Sequence, residues 1–459
     1  MKSLMRLPSL ILVGASLLAT LPVTAQINDG KPDPDIVVPA ALDLPYALGF
    51  ALDNNFTIRQ AKERIRQQEG VVLEVRSAQI PNVSATAGYA RNADEISSNG
   101  RDHNWSVNIT ARQVVFAGGG VTASVKGQQL SLDAAVLALR AVLNDVLLQV
   151  RTQFYGVLVA RERIKVQEQN IELLQRQLQD VKNRYEAGTV SNFEVLRAEV
   201  ALANAQPALI TARNDHRLAI EELRRSLGFT NIDESTVAKT PDFLGSLDFT
   251  PASYELRSAL STARESRPDL QRLLKLESAA EQGVTARRAG YVPEVSVYGA
   301  YDWRMNSTGS SSLSNARDGW TLGLQSSWDI FDGRATAGRV SQARSQLEQA
   351  KLAVAEARLS VDVDVRRAIS TFQQATELAE ASKKVVEQAE EAVRLANARF
   401  SAGTATQLDV LTSQVDLTTA RLNQLQAYYS YNVAVANVRR AMGLGDELAP
   451  AGELSWPRA

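Results

Sequence analysis

The two halves of this chain match each other at a constant offset in residue number. Residues 184–189 read RYEAGT and residues 399–404 read RFSAGT, and the same offset of 215 relates Gly228 to Gly443. Around each motif the order is the same: two short alternating segments, a very long segment without proline, a Gly turn and a returning segment. Repeats at a fixed spacing indicate repeated structural units. The chain is therefore expected to fold as two similar units related by pseudo-symmetry.

The N-terminus and the two copies set the expected domain boundaries. Residues 1–25 combine a basic start, an apolar stretch and a small-residue end, which is typical of a cleaved secretory signal peptide. A retained anchor is the alternative, although the apolar stretch is short for a spanning helix. The other predicted boundaries are 26–229 for the first repeat, 230–255 for an equatorial linker, 256–444 for the second repeat and 445–459 for a C-terminal tail.

Composition excludes several classes of protein. The chain has no cysteine, which rules out a disulfide framework, a Cys-based metal site and a lipid-modified N-terminal cysteine. Its 50 Lys and Arg against 51 Asp and Glu give no basic excess, so nucleic acid is not an expected partner. His103 and His216 lie in unrelated segments, and the sequence shows neither a phosphate-loop motif nor a nucleophile–base pair. We expect a protein that is not an enzyme and holds no metal or cofactor.

Two segments are predicted to be helices far longer than the average of about 11–12 residues. Residues 334–400 and about 122–185 contain no proline, and at 1.5 Å per residue each would span roughly 90–100 Å. Apolar and small residues alternate three and four apart in the later segment, which is typical of a seam that faces another helix. A second stripe through Phe372, Val386 and Val393 indicates neighbours on both sides, as in a curved wall of helices. The predicted seam comprises Val340, Ala343, Leu347, Ala350, Val354, Ala357, Val361, Ala368, Ala375, Leu378, Val385, Ala389, Ala392 and Ala396.

Each long helix is predicted to end at a Gly turn, because Gly188 and Gly403 can adopt the left-handed conformation that ends a helix. The returning helices begin with SNFE at 191–194 and TQLD at 406–409, and both have the pattern of a capping box. Each repeat should thus place a tight helical hairpin at one end of the molecule. Pro207 lies inside the first returning helix, where we expect a kink or a break.

Four segments are predicted to be β-strands, namely 83–90, 105–116, 295–303 and 320–331. They alternate apolar and polar residues, and their lengths are near the 9–11 residues that cross a bilayer at a tilt. Four of the five tryptophans lie in them, at positions suited to an interfacial belt. A sheet packed on a soluble core is the alternative, because alternation alone indicates only a half-buried strand. The residues expected to face lipid are Trp105, Val107, Ile109, Trp320, Leu322, Leu324 and Trp328.

Four strands are too few to close a barrel, since the smallest single-chain barrels have eight. Unpaired backbone groups in hydrocarbon cost several kcal/mol each, so the strands must share a barrel with copies of the same chain. Two, three or four copies would give 8, 12 or 16 strands, and strand counting does not choose among them. The long helices would continue the barrel wall as a helical tube.

Together these features resemble the TolC family of outer-membrane efflux and secretion channels. The resemblance covers residues from about 40 to 445 and is carried by the tandem halves, the turns after Tyr185 and Phe400, the DVL run at 409–411, and the prolines that precede strands, Pro81 and Pro293. It implies a mainly α fold with a small β part. Tandem long helical hairpins would form a twelve-helix periplasmic α-barrel in a homotrimer. Four strands per chain would form one shared 12-stranded outer-membrane β-barrel.

The resemblance also implies a function and partners. Members of the family are passive exit ducts of tripartite efflux or type I secretion systems. They dock to a periplasmic adaptor (membrane fusion) protein and an inner-membrane RND, ABC or MFS pump. The chain would then contact outer-membrane lipid and extend far into the periplasm. From the residues alone, a periplasmic coiled-coil adaptor or scaffold protein is the alternative.

In that family the hairpin tips close the periplasmic entrance and polar links hold it shut. This chain has Ala405 and Thr412 where a family member carries an arginine and an acid, which argues against a salt-bridged lock of that form. Asp409 is either a gate residue or only a helix cap, since its position in the capping box already explains it. Asp362 and Asp364 are further candidates for a carboxylate ring in the lumen, with surface solvation as the alternative. Carried over by motif, the entrance positions are Tyr185, Gly188, Glu194, Phe400, Gly403 and Asp409.

Overall fold

The computed structural model describes residues 41–91, 93, 103–229, 241–307 and 317–448. The predicted signal peptide, most of the first half of the predicted linker and most of the predicted tail lie outside these residues. Apart from Pro241, the described residues belong to one compact unit, which comprises Ala41–Phe229 and the chain from Asp242 onward.

Both repeats contain the same elements in the same order. The first repeat comprises strand β1 (Ala41–Leu42), helices α1 (Leu44–Asn54) and α2 (Phe56–Arg76), a 3-10 turn (Ser77–Gln79), strands β2 (Asn82–Arg91) and β3 (His103–Phe116), and helices α3 (Gly120–Glu186) and α4 (Asn192–Leu227). The second comprises strand β4 (Asp242–Phe243), helices α5 (Leu256–Ser266) and α6 (Pro268–Arg288), a 3-10 turn (Ala289–Tyr291), strands β5 (Glu294–Ser307) and β6 (Arg317–Ser327), and helices α7 (Ala335–Ser401) and α8 (Gln407–Ala441). Helices α3 and α7 each contain 67 residues, which corresponds to about 100 Å.

Equivalent elements begin at nearly constant offsets. The first residue numbers of α1, α2 and β2 are lower by 212 than those of α5, α6 and β5, whereas those of α3 and α4 are lower by 215 than those of α7 and α8. The second repeat is therefore three residues longer than the first, and the three extra residues fall in the connection between β5 and β6. The helices themselves have gained or lost no residue relative to each other.

Each repeat has its own hydrophobic core, where short helices pack on a long one. In the first, Phe154 and Val150 of α3 are fully buried with Leu48 of α1 and Ile58 of α2. In the second, residues of α7 pack with α5 and with α8, whose Tyr431 is buried. Burying one such large side chain contributes roughly 1.5–3 kcal/mol. These cores fix α1 and α5 against the middle of the long helices.

The predicted seam of α7 is correct in its first part and wrong in its second. The buried positions include Val340, Ala343, Val354, Val361, Ala368 and Ala375, and then Ala379, Val386 and Val393. Leu378 and Val385, which were expected in the seam, are 51% and 50% exposed. A straight helix drifts by about 20° per heptad from a strict seven-residue repeat, so the buried position advances by one residue along this length.

Helix α4 continues through Pro207, so the break considered there is absent. Proline removes one hydrogen bond to the carbonyl four residues earlier. Pro207 and Ala203 are both exposed, so water can satisfy that carbonyl. The helix therefore tolerates the proline.

The four long strands form one antiparallel sheet in the order β2–β3–β5–β6. The central pair, β3 and β5, joins the two repeats within the chain. Strands β1 and β4 form a separate two-stranded parallel pair, which ties the beginning of the first repeat to the linker segment. Helix α3 contacts α2, α4, α6 and α8, and helix α7 contacts α5, α6 and α8.

The described part of the predicted tail is bound to the first repeat. Asp446 forms an ion pair with Arg151 of α3, with Nη2 and Oδ1 2.5 Å apart. The two side chains are only 8% and 6% exposed. Arg439 of α8 pairs with Glu447 at 3.1 Å. This segment therefore joins α8 of the second repeat to α3 of the first.

Candidate functional site

The first hairpin tip is a left-handed glycine turn. Gly188 has a φ of 73°, and its N–H donates to the carbonyl of Tyr185 at 2.9 Å. Thr189 donates its N–H to the carbonyl of Arg184 at 2.9 Å. These bonds satisfy carbonyls that the end of α3 leaves without helical partners. Tyr185 is half exposed beside the turn, at 47%.

The second tip has the same turn and a capping box. Gly403 has a φ of 75°. Thr406 donates its backbone N–H and its hydroxyl to Oδ2 of Asp409, at 2.7 and 2.8 Å, and Thr406 Oγ1 accepts from the N–H of Asp409 at 3.4 Å. The bonds from the backbone and the hydroxyl of Thr406 lower the pKa of Asp409. The capping box predicted for this tip is confirmed.

The capping box predicted for the first tip is wrong. Ser191 is the N-cap of α4 but makes no side-chain capping bond. Glu194 instead lies 3.6 Å from Arg197, whose guanidinium stacks on the ring of Phe193 at 4.8 Å. The position equivalent to Arg197 in the second repeat is Thr412, which offers no cation. In the first tip the Glu194 carboxylate thus faces a cation one turn away, and the second tip has no such cation at that position.

A cation–π contact joins the two tips. The guanidinium of Arg184, at the end of α3, lies 4.7 Å from the ring centroid of Phe400, at the end of α7. Contacts of this type contribute roughly 0.5–1 kcal/mol at exposed sites. The arginine belongs to the repeated RYEAGT motif, but its partner in the other repeat could not be found from the sequence.

Polar side chains join the two hairpins above the tips. Along the α3–α8 contact, Arg163 bonds Gln426 at 2.6 Å, and Thr418 bonds Asn170 at 3.1 Å. Three glutamines on these helices, Gln177, Gln407 and Gln414, have buried side-chain atoms without a hydrogen-bond partner among the described residues. Buried polar groups without partners weaken an interface. The contact between hairpins is thus held by groups that water can replace.

Asp362 and Asp364 are ion-paired, not bare. Arg264 at the end of α5 donates to both carboxylate oxygens of Asp362, at 2.9 and 2.5 Å. Arg267 bridges Asp364, at 3.2 Å, and Asp269. The hydrogen bonds from Arg264 lower the pKa of Asp362. The two aspartates hold α5 against α7, which does not fit the carboxylate ring considered for them or plain surface solvation.

One face of the sheet carries mostly apolar side chains on all four strands. Tyr89 lies opposite Trp105, Val107 opposite Trp303, and Gly299 opposite Leu322. The predicted residues on this face are exposed: Trp105 49%, Val107 40%, Ile109 48%, Trp320 78%, Leu322 70% and Leu324 70%. A sheet in a soluble domain would bury such a face. The structure thus brings six of the seven predicted residues together on one exposed apolar surface.

The opposite face is polar. Asn108 donates to Asp302 at 2.7 Å, and Thr110 donates to Asn108 at 2.6 Å. Arg112 lies 3.5 Å from Glu294 at the end of the sheet near the helices. This division into an apolar and a polar face is that of a strand pair with lipid on one side and water on the other.

Trp328 departs from the prediction. Strand β6 ends at Ser327, because β5 begins at Glu294 and offers no partner beyond that pair. Trp328 therefore lies after the strand, where its indole N–H donates to the carbonyl of Tyr291 at 3.3 Å. The predicted strand 320–331 is too long by four residues in the single chain.

Both edges of the sheet are open among the described residues. Strand β2 pairs only with β3, and strand β6 pairs only with β5. Among the residues that the structure describes, each edge strand therefore has a strand neighbour on one side only. Within the described chain, no helix has the length and apolarity needed to span a bilayer.

The chain is similar to known export proteins over most of its length. Protein CyaE of Bordetella pertussis is 27% identical over 418 residues, which cover 90% of this chain and 84% of that protein. Outer membrane protein TolC of Vibrio cholerae is 24% identical over 381 residues, which cover 81% and 84%. The crystal structure of the Campylobacter jejuni CmeC outer membrane channel superposes with a TM-score of 0.77 at 15% identity, covering 87% of this chain and 85% of that one.

The sequence profile described as outer membrane efflux protein matches residues 47–229 and 259–444. The two matched ranges correspond to the two repeats and span most of the chain. The resemblance inferred from the repeated turn and the strand pattern is confirmed by this match. This protein belongs to the outer membrane efflux protein family, whose members are transport channels.

Proposed function

We propose that three copies of this chain form one export duct, with a shared 12-stranded barrel and a tube of helical hairpins. As a member of its family, the protein is an outer-membrane exit duct for efflux or type I secretion, with a helical periplasmic extension. The observation that carries the proposal is the sheet, which exposes large apolar side chains on one face and, among the described residues, gives each edge strand only one strand partner.

The apolar face and the open edges support lipid contact and self-association together. Apolar side chains on this face would be stabilised by hydrocarbon, with Trp105, Val107, Ile109, Trp320, Leu322 and Leu324 facing lipid. The same hydrocarbon would make each unpaired backbone group cost several kcal/mol. A ring of copies removes both edges, and Trp328 would then lie at the periplasmic rim of the apolar band.

We assign the periplasmic entrance to the hairpin tips, at Tyr185, Gly188, Glu194, Phe400, Gly403 and Asp409. Arg184 on Phe400 and the polar α3–α8 contacts would hold the two hairpins of each chain together in the closed state. Both side-chain bonds of Asp409 go to Thr406. This supports a capping role for Asp409, which steadies the tip and does not itself bar the entrance.

The duct would be passive and would depend on partners. The sequence contains no phosphate-loop motif, so the energy would come from an inner-membrane RND, ABC or MFS pump. A periplasmic adaptor protein would join the pump to the tips. Polar α3–α8 contacts that water can replace would let adaptor docking separate the hairpins at low cost.

The mass and solubility of the purified protein test the barrel. We expect a detergent-dependent oligomer with the mass of three mature chains, which runs as an oligomer in SDS until it is heated. A monomer that stays soluble without detergent would contradict the shared barrel.

Single-channel conductance tests the entrance. Arg184→Gln removes the cation from Phe400 and should raise the conductance of the closed channel in planar bilayers. Arg176→Gln is the matched control, because Arg176 is 72% exposed and pairs with Glu172 of its own helix. Equal conductance in the two variants would argue against a role for the Arg184–Phe400 contact in closure.

A further inference from the structure

We infer that strand β6 of one copy pairs with strand β2 of the next in a single register, with Leu324 opposite Tyr89 and Ser327 opposite Thr86. The inference rests on the proposed shared barrel, because only such a barrel brings the two open edges together. It adds to that proposal the residues that meet at the junction between copies.

The two repeat offsets reproduce a register that the chain already contains. Applying the offset of 212 to β2 and the offset of 215 to β3 converts the pair Ala85–Ile109 into Val297–Leu324. Val297 and Leu324 are indeed partners in the β5–β6 pair. The same shifts convert every β2–β3 partner pair into a β5–β6 partner pair, so the pseudo-symmetry of the sheet holds residue by residue.

The β3–β5 junction is the template for the junction between copies. Within the chain, β3 of the first repeat meets β5 of the second. In a closed ring, β6 of one copy meets β2 of the next copy. This junction is equivalent to the β3–β5 junction, because β6 is the equivalent of β3 and β2 is the equivalent of β5. Ile109 lies opposite Tyr301 in the template. Adding the offset of 215 to Ile109 of β3 gives Leu324 of β6. Subtracting the offset of 212 from Tyr301 of β5 gives Tyr89 of β2.

The inferred register keeps both faces of the sheet continuous. Leu324 and Tyr89 both belong to the apolar face, and Ser327 and Thr86 both belong to the polar face. A slip of one residue would place apolar side chains of one copy beside polar side chains of the next. The inferred register avoids this mismatch.

The register also accounts for the early end of β6. In the template, β3 continues beyond Arg112 to Phe116; Gln113, Val114 and Phe116 pair with β5, and Val115 lies at a shift in register. Their equivalents after β6 are residues 328–331, and Ile330 and Phe331 are each 83% exposed in the single chain. We infer that β6 extends to Phe331 along the beginning of the next copy's β2.

Paired cysteines test the register directly, because the natural chain has none. The matched pairs are Leu324→Cys with Tyr89→Cys, and Ser327→Cys with Thr86→Cys. Directly opposed antiparallel residues have Cα atoms about 4.5–5.5 Å apart, within the range of about 4.4–6.8 Å that a disulfide spans. The shifted control, Leu324→Cys with Ala85→Cys, places the cysteines about four residues or 14 Å apart along the strands. Single-cysteine variants control for random collisions.

Oxidation of the detergent-solubilised oligomer should give a ladder on non-reducing gels that ends at a covalent trimer for both matched pairs. Their crosslinking should exceed that of the shifted pair by at least roughly tenfold, because about 14 Å is about twice the disulfide limit. Crosslinking of the shifted pair in place of the matched pairs would overturn the register and leave the shared barrel intact. A trimer by mass in which no pair crosslinks would also overturn the register.

A monomer by mass in the unsubstituted protein would instead overturn the proposed function. Should a cysteine variant fail to assemble, hydrogen exchange in the unsubstituted trimer decides. Amides among residues 328–331 that pair with the neighbouring copy should be protected. Exchange at all of them as fast as in an unpaired segment would overturn the inferred extension of β6.

Discussion

The ion pair between Arg151 and Asp446 should be the costliest single contact to break outside the cores. The Nη2 and Oδ1 atoms are 2.5 Å apart, and the side chains are 6% and 8% exposed. The cavity around them is lined in part by Leu147, Leu148 and Leu444. Asp446→Asn would leave the guanidinium buried without its counter-charge.

Removing one partner of a buried pair typically costs about 3–5 kcal/mol, because the other charge stays desolvated. Replacing both partners by apolar residues of similar size is often close to neutral. We therefore expect Asp446→Asn to lower the free energy of unfolding by about 3–5 kcal/mol, and Arg151→Met with Asp446→Leu to recover most of that loss. Recovery in the double variant would separate the cost of an unpaired charge from loss of packing.

The matched control is the neighbouring pair of Arg440 and Asp145, which joins α8 directly to α3 at 3.0 Å. Their side chains are 32% and 63% exposed. Exposed pairs contribute about 0–1 kcal/mol, so Asp145→Asn should have little effect. Guanidinium unfolding of the detergent-solubilised protein measures both. A loss for Asp446→Asn no larger than that for Asp145→Asn would refute the reasoning.

Three further outcomes are expected. Leu322→Arg should destabilise the assembled barrel by roughly 2–4 kcal/mol if the site is near the bilayer midplane, and so lower the fraction of SDS-resistant oligomer in the outer membrane. Thr321→Arg on the polar face should not, and equal losses would show that the Leu322 face is not in lipid. Gly403→Val should distort the second tip and reduce export of toxic compounds, because a β-branched residue resists the φ of 75°. The adjacent Ala402→Val, at a φ of −81°, should be tolerated. Normal export in Gly403→Val would count against the assignment of this tip to the entrance. The lowered pKa of Asp409 means that its capping contribution is complete above its ordinary pKa and is lost as the pH falls through the lowered value. Amide protection at the start of α8 should therefore stay constant from pH 7 to about pH 5 and fall below about pH 4, and Asp409→Asn should abolish this dependence.

The parts of the fold that the sequence predicted are those set by local patterns. The repeat, the two Gly turns and the alternation in four strands each depend on residues close together in the chain. The Thr406 capping box followed from spacing alone, because the first turn of α8 offers Asp409 no competing partner. In the first repeat Arg197 offered one, and the same pattern gave a different structure.

The features that could not be predicted depend on residues far apart in sequence. Arg151 and Asp446 are 295 positions apart, and neither lies in a motif. The contact of Arg184 with Phe400 requires knowing how the two hairpins pack. The end of β6 depends on which strand lies beside it, and in the single chain that neighbour stops at Glu294.

The unchanged length of the paired helices restricts how such a duct can evolve. One residue added within α3 would rotate everything beyond it by about 100° and turn its buried face outward. Only additions near a whole number of turns, such as about eleven residues, would preserve the facing surfaces, and they would have to occur in α7 and in the returning helices α4 and α8 as well. Relatives should therefore differ in the length of their helical hairpins by near-whole numbers of turns that are the same in both repeats. Single-residue insertions and deletions should be found in the connections at the end of the strands away from the helices.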